Sequence, residues 1–206
     1  MRWSSIRLTT IPREIASVRR LHVRSPLHGC CPATVADCGI RQLEAIQGLR
    51  VQTLRDRRAP GPAADPLKLP DSPNSTAGAD PFALWKAPGH WLVYSELLSA
   101  DALESWVSSA TLSAPLLVTD ATSESALLEL TGTRAIDVLL RDCTLDLEGG
   151  AVPVRGCAQT QFAQTSVIIH RPTHDAWRMF VERSVALHVW NWIIDSMNAL
   201  GRSDRL

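Results

Sequence analysis

The chain closes with a strand that runs directly into a helix, and that helix carries more apolar surface than one sheet can cover. From Ala176 to Glu182 the pattern is that of a strand, and after Ser184, the expected N-cap, the apolar residues fall at helical spacing. At about 100° per residue with Ala186 as origin, Val189, Trp190, Ile193, Met197 and Leu200 make the principal stripe. Leu187 and Ile194 widen it on one side, Val185 and Trp192 on the other. The arc is about 220° wide, against roughly 100° for a helix seated on a single sheet. His188, Asn191, Asp195 and Asn198 fill what is left. One face can pack on the chain's own sheet. The flank of Val185 and Trp192 needs a second cover, either the N-terminal half of the chain or a different chain, and these two residues are the candidate subunit interface.

Composition sets the remaining bounds. With 206 residues, 45% of them hydrophobic and 20% charged, the chain can bury one large core or two smaller ones and is not a disordered sequence. Seven of its eleven aromatic residues are Trp, a residue that serves equally as core filler and as interface anchor. The net charge of zero conceals a split. Residues 1–60 hold eleven arginines against Glu14, Asp37, Glu44 and Asp56, and the rest of the chain is correspondingly acidic. The arginines form no basic run with interleaved aromatics, so nucleic acid is not the expected partner. Five cysteines, an odd number without a secretory leader, read as free thiols in a reducing, cytoplasmic setting. The longest apolar stretch, Leu116 to Leu130, is broken by Asp120, Ser123, Glu124 and Glu129, so no membrane span is expected. Residues 1–24 carry six arginines and a single acid, Glu14. Poor helical phase and Pro12 make them read as a disordered basic extension or an upstream start rather than a targeting helix.

Six prolines between Ala59 and Pro81 mark a long loop at 59–81. Strand patterns flank it at Leu49–Leu54, Phe82–Lys86 and His90–Tyr94, the last two closed into a hairpin by Pro88-Gly89. Ser99 caps a short amphipathic helix carrying Leu103, Trp106 and Val107. Beyond Pro115 come strands at Leu116–Thr119 and Ser125–Leu130, and a helix with Ala135, Ile136, Leu139 and Leu140 on one face. Three more strands follow at Cys157–Gln164, Ser166–His170 and Ala176–Glu182, with Pro172 placing a turn at 171–175. Hairpins mixed with helices, without regular βαβ alternation, predict an α+β fold of mostly antiparallel sheets with packed helices. The expected organisation is two ferredoxin-like halves, 25–115 with the Pro-rich loop and 116–206 ending in the apolar helix.

A search for chemistry returns little. The sequence has no G-x-G-x-x-G after a strand, no P-loop, no G-x-S-x-G and no H-E-x-x-H. His28, Cys30, Cys31 and Cys38 cluster, but adjacent cysteines do not readily aim two thiolates at one tetrahedral ion, so no metal site is expected. His170 and His174 read as an exposed turn pair on either side of Pro172. Asp120 reads as a cap or turn residue, and Cys143 and Cys157 as small core residues.

Several segments carry a family pattern. They are Trp85-Lys86-Ala87-Pro88-Gly89-His90-Trp91-Leu92-Val93, Thr119-Asp120 followed by Leu128-Glu129-Leu130-Thr131-Gly132, Cys143-Thr144-Leu145-Asp146-Leu147, Gly156-Cys157-Ala158-Gln159-Thr160, Val181-Glu182-Arg183-Ser184, and Trp190-Asn191-Trp192. In this order and spacing, from Arg24 to about Leu200, the chain resembles the gamma subunit of heterotetrameric sarcosine oxidase. One departure is the hairpin Ala87-Pro88-Gly89-His90-Trp91, where members of that family commonly have Gly-Pro-Asp-Glu-Trp.

The resemblance implies a fold like the folate-binding part of glycine-cleavage T-protein, used as a structural subunit with no catalytic, cofactor-binding or metal residues of its own. It implies alpha, beta and delta subunits as partners, which between them carry FAD, FMN, NAD, tetrahydrofolate and zinc. The implied activity of the complex is oxidative demethylation of sarcosine, with the methyl carbon passed to tetrahydrofolate. The altered hairpin keeps open a related N-methyl amine demethylase. Two other readings also stand: a free-standing folate-binding one-carbon transferase, in which Asp120 and Trp91 would hold the pterin, and an assembly factor that binds the flavoprotein transiently.

Overall fold

The computed structural model describes residues 24–44, 46–53, 69–108 and 116–203. The elements follow in the order β1 (Ala33–Val35), β2 (Cys38–Leu43), β3 (Gln47–Thr53), β4 (Thr76–Ala77), β5 (Phe82–Ala87), β6 (His90–Ser95), α1 (Ala100–Ser108), β7 (Leu116–Asp120), β8 (Ser125–Thr131), α2 (Ala135–Leu140), β9 (Gly156–Phe162), β10 (Thr165–Thr173), β11 (Ala176–Glu182) and α3 (Ala186–Ser203). They build two antiparallel sheets of order β1-β2-β8-β11-β10-β9 and β4-β5-β6-β3-β7. The α+β, mostly antiparallel architecture is the one expected from the sequence.

Strand periodicity explains the layering. In β8, Ala126, Leu128 and Leu130 point toward α2 and α3, while Leu127 points to the second sheet. In β11, Trp177, Met179 and Val181 join the same helix-side core, and Phe180 joins the layer between the sheets. Strands buried on both faces are apolar on both faces, which is why Leu127–Leu130 and Met179–Val181 read as near-continuous runs. Leu49, Val51, Ala83 and Val93 cover the far side of the second sheet and pack on Leu103 and Val107 of α1. The layers therefore run helices, six-stranded sheet, five-stranded sheet, helix.

The sheets do not divide at the expected 115/116 boundary. The hairpin β1–β2, absent from the expected elements, pairs with β8 in the six-stranded sheet, and β7 is an edge strand of the other. The chain changes sheet between Leu43 and Gln47 and changes back between Asp120 and Ser125. The two crossovers are tied together, because Ala121 N–H donates to the Gly48 carbonyl (2.8 Å) and Gly48 N–H to Thr122 Oγ1 (3.1 Å). Asp120 Oδ1 accepts from Thr122 N–H at 2.8 Å, as its turn reading anticipated.

Local signals hold at other places. Pro88-Gly89 closes the β5–β6 hairpin with Gly89 at φ +73°, where a Cβ would lie 2.4 Å from Thr53 Oγ1. Ser99 Oγ accepts from Ala102 N–H at 3.3 Å as the cap of α1. Two details differ. Ser184 does not cap α3; its hydroxyl donates to Glu182 Oε1, and the helix starts two residues later with Val189 N–H bonded to the Val185 carbonyl. The β9–β10 turn falls at Ala163-Gln164, both with positive φ, so β9 stops at Phe162 and not at Gln164. Residues 59–68 of the 59–81 loop and nearly all of the basic extension lie outside the described residues.

Candidate functional site

The face of the six-stranded sheet that looks toward the second sheet is organised in cross-strand rows. Along one row stand Cys157, His170, Arg178, Glu129 and Arg41, each opposite the next in register. Two residues along the strands comes Gln159, Ile168, Phe180, Leu127 and Leu43. Two further on are Gln161 opposite Ser166, and Glu182 opposite Ser125. The second sheet answers with Phe82 opposite Tyr94, then Leu84 opposite Leu92. Lys86, two residues beyond Leu84 in β5, comes next on that face.

The first row is a closed polar network. Arg178 donates to Tyr94 Oη (2.9 Å) and Glu129 Oε1 (3.1 Å) and pairs with Glu96 (2.5 Å), while Arg41 Nε donates to Glu129 Oε2 at 2.7 Å. Its guanidinium lies 5.3 Å from the Phe82 ring centroid. Guanidinium has only donors, so Tyr94 Oη accepts from Arg178 and turns its own O–H to His170 Nδ1, 2.7 Å away. In that arrangement His170 is neutral and carries its proton on Nε2. Burial, with Arg178's charge in support, pulls its pKa down to about 3, and burial likewise raises the Tyr94 phenol. The sequence placed His170 in an exposed turn with His174. His174 is exposed, but β10 continues through Pro172 by way of a register shift between His170 and Thr173, which keeps His170 inside the sheet.

The last row faces an open trough of about 840 Å³ over β9 and β10, and beside it, beneath the two crossovers, lies a cleft of about 430 Å³. Lys86, Glu124, Ser125, Ile168 and Phe180 line both. Neither Asp120 nor Trp91 lines either cavity: Asp120 closes its turn and Trp91 Nε1 donates to the Pro70 carbonyl at 2.6 Å.

The metal-like cluster is dispersed. Cys38 is buried on the helix side with its thiol pushed up to about 11, Cys31 is exposed, and His28 lines the cleft. Among the described residues no three metal-ligating side chains converge, and all five cysteines are free. Cys157, also pushed up to about 11 by burial, directs its thiol toward the Ser75 carbonyl. Among the described residues no helix is long and apolar enough to cross a membrane.

The helix arc resolves as follows. Val189, Trp190, Ile193, Met197 and Leu200 are buried against the six-stranded sheet. Val185 is half-buried against that core, at the residue before the helix. Trp192 stays 40% exposed, its ring 5.9 Å from that of His188. Leu187, across the polar face, is 49% exposed.

Three comparisons bear on this arrangement. A family model described as sarcosine oxidase, gamma subunit family, matches residues 62–199. Sarcosine oxidase subunit gamma of Corynebacterium sp. (strain U-96) is 27% identical over 177 residues, covering 77% of this chain and 85% of that protein. Its counterpart in Arthrobacter sp is 28% identical over 131 residues, 63% of this chain and 64% of that one. Among solved structures, a chain of heterotetrameric sarcosine oxidase from Corynebacterium sp. U-96, in complex with pyrrole 2-carboxylate, superposes with a TM-score of 0.72 at 21% identity, covering 87% of this chain and 96% of that one. Glycine cleavage system aminomethyltransferase T from Bartonella henselae gives 0.55 at 15% identity, covering 80% of this chain and 47% of that one. At these identities the two structures speak for the fold, which is the T-protein-like one expected.

Proposed function

The chain belongs to the sarcosine oxidase gamma subunit family, and we propose that it serves as the non-catalytic structural subunit of a heterotetrameric sarcosine oxidase-type flavoenzyme. In this reading alpha, beta and delta subunits carry FAD, FMN, NAD, tetrahydrofolate and zinc. The complex oxidises the N-methyl group of sarcosine at the flavin and passes the carbon to tetrahydrofolate. The gamma chain contributes surface and rigidity.

One observation carries the reading: an indole 40% exposed at the margin of a helix whose principal stripe, Val189, Trp190, Ile193, Met197 and Leu200, the chain buries for itself, with Leu187 the other large apolar side chain of the helix left exposed. An exposed Trp at the margin of a packed apolar stripe is the kind of anchor that partner chains cover. The state of the buried charges agrees, since the guanidinium of Arg178 is bonded to Tyr94, Glu96 and Glu129, which leaves it braced in place. A free-standing one-carbon transferase has less support, because the carboxylate and indole it would enlist, Asp120 and Trp91, stand outside both cavities.

The test is Trp192→Asp in the full chain, mixed with the flavin-bearing chains and weighed by native mass spectrometry. Association should weaken by at least about 30-fold, the scale of a Trp hot spot, while the urea midpoint of the chain alone stays nearly fixed. Equal damage to folding and assembly would put Trp192 in the chain's own core. A wild-type chain that stays monomeric beside those subunits overturns the subunit reading.

A further inference from the structure

We propose that the cleft beneath the crossovers binds a small organic carboxylate with a flat apolar body, with Lys86 as its counter-ion. The inference goes beyond the structural-subunit reading and does not depend on which amine the complex oxidises.

The cavity has the two halves that such a ligand needs. Leu43, Leu127, Ile168 and Phe180 form an apolar wall on one sheet, faced by Leu92 on the other, around about 430 Å³. That volume suits a ligand of aromatic-acid size. At the mouth, Lys86 lies half-buried, and no carboxylate among the described residues is within ion-pair distance of its ammonium. Glu124, which lines the same cleft, is committed to Arg50. Of the other charged groups on the lining, Arg183 donates to the Arg24 carbonyl and Glu44 stands on the crossover, while Glu182, in the adjoining trough, accepts from Ser184. Ser123, Ser125 and Thr122 put hydroxyls along the same rim.

An ammonium drawn partly out of water without a counter-charge is destabilised. Burial lowers the Lys86 pKa from its ordinary value, an effect that the Glu124 charge only partly offsets. An anion seated beside it removes that cost, and a carboxylate can accept from the ammonium and a rim hydroxyl while its body lies on Ile168 and Phe180. Lysine is also rare in this chain, where Lys68 and Lys86 stand against nineteen arginines. Amine chemistry can therefore address the site almost alone on this subunit.

The assembled complex is acetylated with a succinimidyl ester, and Lys86 is followed by peptide mass spectrometry in the presence of sodium benzoate or of benzyl alcohol, its uncharged analogue. Benzoate at millimolar concentration should slow Lys86 acetylation at least fivefold and benzyl alcohol should not, with Lys68 indifferent to both. Complexes carrying Lys86→Gln should also lose one equivalent of labelled benzoate in equilibrium dialysis. Equal protection by both compounds, or none by benzoate, overturns the proposal. So does a Lys86 that is blocked in the complex but reactive in the free chain, which would assign the cleft to an acidic segment of a partner. Assembly is read separately by native mass spectrometry; if no complex forms, the same labelling on the full chain decides the cleft while the subunit reading falls.

Discussion

The charged row of His170, Arg178 and Glu129 and the open row of Ser166, Glu182 and Ser125 lie on one face of one sheet, about 13 Å apart along the strands. Over the first, the second sheet places Phe82 and Tyr94, and each buried charge finds its complement within the chain. Over the other, the same sheet ends in Lys86 and the layers part into a cleft. The difference separates two uses of buried charge. A network with its bonds made fixes how two sheets sit on each other, while an unmatched cation at a cavity mouth leaves a place for something else.

The sharpest way to break that contrast is Arg178→Met. Two carboxylates, Glu129 and Glu96, lose a shared partner, and Glu129 is left almost fully buried. The expected loss is about 3–5 kcal/mol in urea unfolding of the full chain followed by Trp fluorescence. A loss under about 1 kcal/mol would mean that the row is not closed.

The second effect is one of pH. His170 is neutral in the fold, with its pKa pulled down to about 3, and takes up a proton near its ordinary 6.5 when unfolded. Below that value the unfolded chain binds the extra proton, so stability is complete above pH 6.5 and falls as the pH drops from there toward 3. The slope is at most about 1.4 kcal/mol per pH unit. His170→Gln should flatten the urea-midpoint profile between pH 6.5 and 4.5; an unchanged slope would assign the acid sensitivity to other groups.

The smallest effect is expected at the open row. Lys86→Met removes an ammonium that no carboxylate among the described residues neutralises, so the urea midpoint should hold or rise slightly, within about 0.5 kcal/mol. A clear destabilisation would reveal an internal partner and make the two ends of the layer alike.

Much of the fold was legible because its signals are local. The Pro88-Gly89 hairpin, the Ser99 cap and the stripe from Val189 to Leu200 each depend on residues a few positions apart. Errors arose where distant chain segments overrule neighbours. Pro172 placed a turn at 171–175, and the turn does fall at His174-Asp175, yet pairing with β11 carries β10 past the proline and keeps His170 in the sheet. Ala163-Gln164 has no turn residue, and the positive φ of both costs about 1–2 kcal/mol each by itself; the packing of Ala163 in the core and the bond of its carbonyl to His188 hold it in place. Of the candidate sites, the Trp192 flank was visible from helix angles alone, while His170, Arg178 and Lys86 carried no local mark.

By itself the sequence determined the family pattern, the α+β class, the lack of familiar catalytic motifs and the helix with one flank too many. These follow from composition and from periodicities of two and 3.6 residues. Only the tertiary structure decided that β1–β2 and β7 trade sheets, that Tyr94 meets Arg178 across 84 residues and His170 across 76, and that Lys86 meets no carboxylate among the described residues. Whether a buried charge is paired depends on which strands become neighbours, and that is settled by the burial of both faces of a sheet at once, far beyond the reach of adjacent residues.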